Sequence, residues 1–224
     1  MSFKSWLVRS GVVLCIGSLA CGCSTILPSP PSASSTAVSS SSLTDTNESG
    51  LTVEEQKKVD AGEYVAASVK HRAFNVPKPV FPEAAREETL EGAEAFIRYW
   101  VEERNYASST GDVDDISRIT APDNDYEQDF YRDLRRWYSK REWLVGLTMK
   151  VDFEDNDFVL GQDGFYRFLV RPSVSESKYC KNIDYCARDS GDMFRGKPGI
   201  VGLYYDEGWV FGQLIGVEGI NYEE

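Results

Sequence analysis

Between Thr89 and Ala107 the apolar residues Ala93, Phe96, Ile97, Trp100, Val101 and Ala107 recur at helical spacing, and Glu94, Arg98, Glu102 and Glu103 take the other faces. This predicts an amphipathic helix with one side turned to a core. Thr89 is placed as its N-cap, Glu91 suits the positive end of the helix dipole, and Gly111 supplies the left-handed stop. Asp112 then caps a short second helix reaching about Ile119, with Val113 and Ile116 inward. After Pro122, the run Asp123-Asn124-Asp125 opens a third helix, Tyr126 to Lys140, whose apolar face is Phe130, Leu134, Trp137 and Tyr138. Asp125 reads as the cap of that helix.

From Trp143 onward the pattern changes to strands. Trp143 to Phe153 alternates in part, with Leu147, Met149, Val151 and Phe153 on one face, and Phe165 to Val170 is a second apolar run. Gly199 to Tyr205 and Trp209 to Val217 flank Asp206-Glu207-Gly208, a hairpin turn signal. Helices followed by a strand meander predict an α+β fold over 88–222, with three helices packed on one face of a curved antiparallel sheet of about four strands.

Upstream, over 51–87, Thr52-Val53-Glu54-Glu55 has the form of a capping box and predicts a short helix to about Lys58, broken by Gly62. His71 follows, and then Asn75 to Pro82, where three prolines force an extended strap. The strap reads as a packed lead-in in preference to a proline-rich ligand for a partner.

The amino terminus has a different grammar. Met1 to Arg9 carries Lys4 and Arg9, and Ser10 to Ala20 is an apolar stretch of signal-peptide length, too short for a membrane span. Cys21-Gly22-Cys23-Ser24 follows. Residues 1–22 therefore read as a lipoprotein signal peptide, with Cys23 as the lipid-accepting residue and Cys21 as the alternative. Acyl chains on that cysteine would hold the protein to the membrane on its extracytoplasmic face. An ordinary cleaved signal is the competing reading. Ser24 to Gly50 is rich in Ser, Thr and Pro and has no aromatic residue. It cannot bury enough apolar surface to order itself, and it reads as a disordered tether over 23–50 with a reach of roughly 30 Å and room for O-glycosylation.

Charge narrows the partners. There are 36 acidic against 24 basic residues, a formal net charge of −12, and loss of the leader with Lys4 and Arg9 makes the balance two charges more negative. Nucleic acid is disfavoured, and so is an electrostatic grip on anionic lipid headgroups.

The stretch EGAEAFIRYWVEERNYASSTGDVDDI, preceded by NVPKPVFPEAA, resembles an actinobacterial lipoprotein family of unknown function, itself similar to the nuclear transport factor 2-like and SnoaL-like cone fold. The likeness is strongest from Asn75 to Ile116. It rests on Glu91-Gly92, Phe96, Asn105-Tyr106-Ala107 and Thr110-Gly111-Asp112. It implies a pocket between the long helix and the sheet, with Tyr99, Tyr106, Tyr131, Trp137 and Trp143 as candidate lining residues, and it implies homodimers formed through the sheet. Enzymes of the cone fold use an Asp–His or Asp–Tyr arrangement, whereas the sole histidine here, His71, lies outside the expected domain. The family often carries a cysteine pair after the second helix, where this chain has Ala121 to Asp125.

The pair Cys180 and Cys186 sits in a polar stretch expected to be a loop. In an exported protein it reads as a disulfide, ahead of a catalytic thiol or part of a zinc site. Asp152 to Asp157 is the one acidic cluster able to attract Ca²⁺, but it lacks the Gly and terminal Glu of a calcium loop and reads as a solvated turn. No catalytic residue, metal site or cofactor is expected. The leading functional expectation is an envelope lipoprotein that binds a partner or a small apolar ligand. The rivals are a SnoaL-like isomerase, dehydratase or cyclase, and a purely structural cell-wall protein with a filled core.

Overall fold

The structure is a computed structural model, and it describes residues 49–154, 159–189 and 197–216. The signal peptide, Cys21, Cys23, the tether up to residue 48, residues 155–157 of the acidic run and Val217 lie outside the described residues.

Among the described residues, four α-helices precede eight strands. Helix α1 (Val53–Asp60) begins at the expected capping box: Thr52 Oγ1 accepts from the Glu55 N–H at 3.2 Å, and Glu55 Oε2 accepts from the Thr52 N–H at 2.8 Å. A 3₁₀ turn, Glu83–Arg86, closes the strap. Helix α2 (Leu90–Thr110) starts at Thr89, whose hydroxyl accepts from the Gly92 N–H, and stops at Gly111 with φ 77°. It runs beyond the expected Ala107 to Thr110, and there the Ser108 and Thr110 hydroxyls donate to the Arg104 and Tyr106 carbonyls. Helix α3 spans Asp114–Arg118 and α4 spans Asp125–Ser139.

Two expected caps shift by one residue. The N-cap position of α3 is Val113, although the Asp112 carboxylate still accepts from the Asp114 N–H at 3.2 Å. The cap of α4 is Asn124, whose Oδ1 accepts from the Glu127 N–H, and Asp125 is the first helical residue.

The eight strands form two antiparallel sheets in place of the single four-stranded one expected. The larger runs β2–β4–β7–β8, with β3 pairing β4; the smaller runs β1–β5–β6. Here β1 is Trp143–Val145, β2 Met149–Phe153, β3 Val159–Leu160, β4 Tyr166–Val174, β5 Ser177–Asn182, β6 Tyr185–Asp189, β7 Gly199–Tyr205 and β8 Trp209–Gly216.

The run Trp143 to Phe153 is therefore two strands. Gly146, at φ 80°, takes a backbone conformation open mainly to glycine, and the chain there leaves one sheet for the other. Strand β4 continues past Val170 and through Pro172. Its last β7 pair is Val170 with Gly199, so the missing N–H of Pro172 leaves no β7 carbonyl unmatched. The cysteine stretch is a hairpin of β5 and β6 and not a loop. Its strands are rich in polar residues and carry no clean period-two signal. Cys180 and Cys186 face each other across it and are joined by a disulfide.

Helix α2 packs against the larger sheet. Ala93, Phe96, Ile97 and Trp100 are buried with Phe168, Val170, Leu203 and Phe211 in one core. Each large side chain so buried contributes about 1.5–3 kcal/mol. Trp100 stacks on Phe211 with ring centroids 3.7 Å apart and donates from Nε1 to Thr120 Oγ1 at 2.8 Å, and Tyr131 Oη lies 3.1 Å from that same hydroxyl.

Both outer strands of the larger sheet are covered from the helical side. Asn105 of α2 bonds both backbone groups of Met149 in β2, at 2.9 and 2.8 Å. Thr120 forms a parallel bridge with Phe211 of β8. Among the described residues no helix is long and apolar enough to cross a membrane.

Arg104 of α2 meets Glu127 of α4 through Nε at 3.1 and 3.0 Å, and both side chains are buried. Burial alone would lower the arginine's pKa, and the Glu127 charge more than reverses this, so the guanidinium stays protonated. Removing one partner strands the other charge. Arg104→Met is expected to reduce the unfolding free energy by about 3–5 kcal/mol in urea titration, and the double variant R104M/E127L to recover most of the loss.

Candidate functional site

A cleft of about 520 Å³ opens between the lead-in and the disulfide hairpin. Three pieces of chain build most of it, and Ser49 adds a fourth contact. The first is the loop between Val65 and Phe74, whose ends pair as an antiparallel bridge and whose turn is closed by the Ser68 N–H donating to the His71 carbonyl. The second is the exit of α4, where Arg141 adopts φ 62° and turns the chain into β1. The third is the tip of the hairpin, Lys181 to Ile183.

Specific bonds hold these pieces together. Trp143 donates from Nε1 to the Ser68 carbonyl at 2.7 Å, which ties β1 to the lead-in loop. Cys186 Sγ lies 3.8 Å from the Val69 carbonyl oxygen. Tyr179 donates to the Glu142 carboxylate, fixing β5 against the α4 exit. His71 is buried, with Nδ1 2.9 Å from the Arg72 carbonyl and Nε2 3.5 Å from Glu55 Oε1. Asn75, at φ 49°, donates to the carbonyls of Val59 and Glu63 and so ties the end of the loop to α1.

The lining joins apolar and cationic groups. Trp143, Phe74 and Ile183 supply the apolar part, and Ile183 is 64% exposed. Lys70, Arg72, Arg141 and Lys181 supply positive charge, and no carboxylate lines the cleft among the described residues. Of the twelve arginines among the described residues, ten form ion pairs with Asp or Glu. The two that do not, Arg72 and Arg141, both line this cleft. Arg72 lies over the Phe74 ring, 5.8 Å from its centroid.

The five aromatic residues expected to share a pocket between helix and sheet are dispersed. Trp143 lines the cleft. Tyr99 is buried, sits edge-on to Phe81 and donates to Glu103 Oε1 at 2.8 Å. Tyr131 is in the core at Thr120, and burial pushes its hydroxyl pKa up. Trp137 packs on Tyr179, and Tyr106 is half-buried on α2. Where the expected pocket would lie, the helix–sheet interface holds the Trp100–Phe211 stack. Of the acidic run, Asp152 and Glu154 are described, and Glu154 pairs with Arg171.

Glu103 was legible only as part of a polar helix face, yet it is 2% exposed. Burial pushes its carboxyl above the ordinary carboxylate range, and the Tyr99 hydrogen bond only partly opposes this. Sequence reasoning also missed Arg72, Arg141 and Lys181 as site residues. Each looks like ordinary surface charge, and no local pattern links positions this far apart.

Two predictions follow from this geometry. Because the folded state favours neutral Glu103, the carboxyl opposes folding once pH rises above its ordinary range, and fully so above its raised value. Below the ordinary range it is neutral in both states and has no effect. Glu103→Gln, which keeps an acceptor for Tyr99, is therefore expected to raise Tm at about pH 7.5 and leave it unchanged near about pH 4, by calorimetry. The paired variant C180S/C186S is expected to lose about 2 kcal/mol of stability, and reductant is expected to lower the Tm of the parent protein but not of the variant.

A family model described as a family of unknown function, DUF6318, matches residues 62–214. The match takes in the lead-in loop, the helix–sheet core from α2 into β8, and the hairpin. No curated protein and no solved structure matches the chain. The match spans well over half of the 224 residues, and the chain belongs to this family of unknown function, DUF6318.

Proposed function

We propose that this protein is a lipid-anchored binding protein of the bacterial envelope, tethered through Cys23 on the extracytoplasmic face and presenting the cleft between lead-in and hairpin to its surroundings. One observation carries the binding reading. The cleft, at about 520 Å³, has the size of a small-molecule site and combines aromatic walls with charged groups that have no internal carboxylate partner. The anchor reading is supported by the basic start, the short apolar stretch and the Cys21-Gly22-Cys23-Ser24 run. An actinobacterial origin and a distant kinship with nuclear transport factor 2-like cones belong to the same proposal and rest on the Asn75 to Ile116 stretch.

The disulfide hairpin suits this placement, since oxidising compartments outside the cytoplasm preserve such bonds. A second reading, a SnoaL-like enzyme, draws on the buried Glu103 carboxyl and its Tyr99 partner. Neither residue lines the cleft, and the pair is closed off from solvent.

Metabolic labelling with a fatty acid, followed by membrane fractionation, tests the anchor. The parent protein and Cys21→Ser are expected to be labelled and membrane-bound, whereas Cys23→Ser is expected to be unlabelled. Loss of label from Cys21→Ser alone would move the anchor to Cys21. An unlabelled parent protein would overturn it.

A further inference from the structure

We infer that the cleft between the lead-in and the disulfide hairpin binds a compact anion, a carboxylate or phosphate carried on a small apolar or aromatic body, gripped by Arg72 and Arg141. The inference rests on the binding reading above and names its ligand class.

The pairing pattern is its foundation. In a chain with 36 acidic residues, ten of the twelve described arginines have found a carboxylate. Six of those pairs lie within four residues along the chain, showing how readily this sequence places an acid beside an arginine. Arg72 and Arg141 come from separate segments, the lead-in loop and the exit of α4, yet they converge on one cleft, and neither forms an ion pair among the described residues. Lys70 and Lys181 add like charge to the same walls, and neither makes an ion pair among the described residues. Four cations in one concavity repel one another, and an anion entering it removes that repulsion. Guanidinium groups favour carboxylate and phosphate because their N–H fork matches two oxygens at once.

Two further observations set the rest of the ligand. Trp143, Phe74 and Ile183 offer apolar surface beside the cations, so a bare inorganic ion would leave part of the cleft unused. The protein as a whole is strongly negative, at −12. A long polyanion would run out of the basic cleft onto acidic surface, and screening acts over only about 8 Å at physiological ionic strength. A ligand no larger than the cleft meets only the favourable field. This singles out a small amphipathic anion over a charged polymer.

Isothermal titration of the whole mature chain tests the inference with four probes: phenyl phosphate, phenylacetate, benzyl alcohol and poly-L-glutamate. One or both of the small anions are expected to bind, which also decides between phosphate and carboxylate, and benzyl alcohol is expected to bind at least about tenfold more weakly. R72Q/R141Q is expected to weaken the favoured anion by about tenfold or more, and R72K/R141K to fall between it and the parent protein. The ion-paired control R132Q/R135Q should bind like the parent. Unfolding curves for each variant separate lost binding from lost folding. Benzyl alcohol binding as well as the anions, or poly-L-glutamate binding more tightly than both, would overturn the compact anion while leaving a binding cleft in place. No binding by any probe would overturn the binding reading itself.

Discussion

Helix α2 is the constraint on which the remainder of the structure depends. It buries one face under the larger sheet through Phe96, Ile97 and Trp100, and it seals the β2 edge with the Asn105 side chain. Its indole at Trp100 reaches the Thr120 hydroxyl, and the same short segment bridges to β8 at Phe211. The Arg104–Glu127 pair then fixes α4 against it. A single helix thus sets the position of both sheet edges and of the helix whose end delivers Arg141 to the cleft.

The lead-in is as much a part of this arrangement as the helices. Leu51, Val65 and His71 are buried, and Ala85 joins the main core. Trp143 grips the lead-in loop at Ser68, while Trp209 and Tyr205 donate to the backbone carbonyls of Glu87 and Arg86. The strap is therefore held at both ends, and the cleft exists because one of these attachments sets the loop beside the hairpin. A short hairpin, rich in polar residues, would be marginal alone. The Cys180–Cys186 bond supplies part of what its side chains lack.

The helical half of the fold was legible because its signals are local. The capping box at Thr52, the cap at Thr89, the stop at Gly111 and the 3.6-residue period of α2 each lie within a few residues of the structure they specify. The β7–β8 hairpin was legible for the same reason, through Asp206-Glu207-Gly208 between two apolar runs. The partition into two sheets was not. It turns on one left-handed glycine at Gly146 and on a polar hairpin whose pairing is long-range to β1. The cleft was less legible still. Its charged residues come from three distant segments, and their distinguishing property, a missing acid partner, is a fact about space and not about sequence.

The most direct test of the cleft as the working surface is residue-by-residue mapping in solution. Amide resonances of the isotope-labelled protein, followed by nuclear magnetic resonance while phenyl phosphate is added, report which backbone sites sense the ligand. The account predicts shifts concentrated at Lys70 to Phe74, Arg141 to Trp143 and Lys181 to Ile183, with the helix–sheet core around Tyr99 and Glu103 unmoved. Shifts centred on Tyr99 and Glu103, or scattered over the surface without a cluster at these three segments, would contradict it.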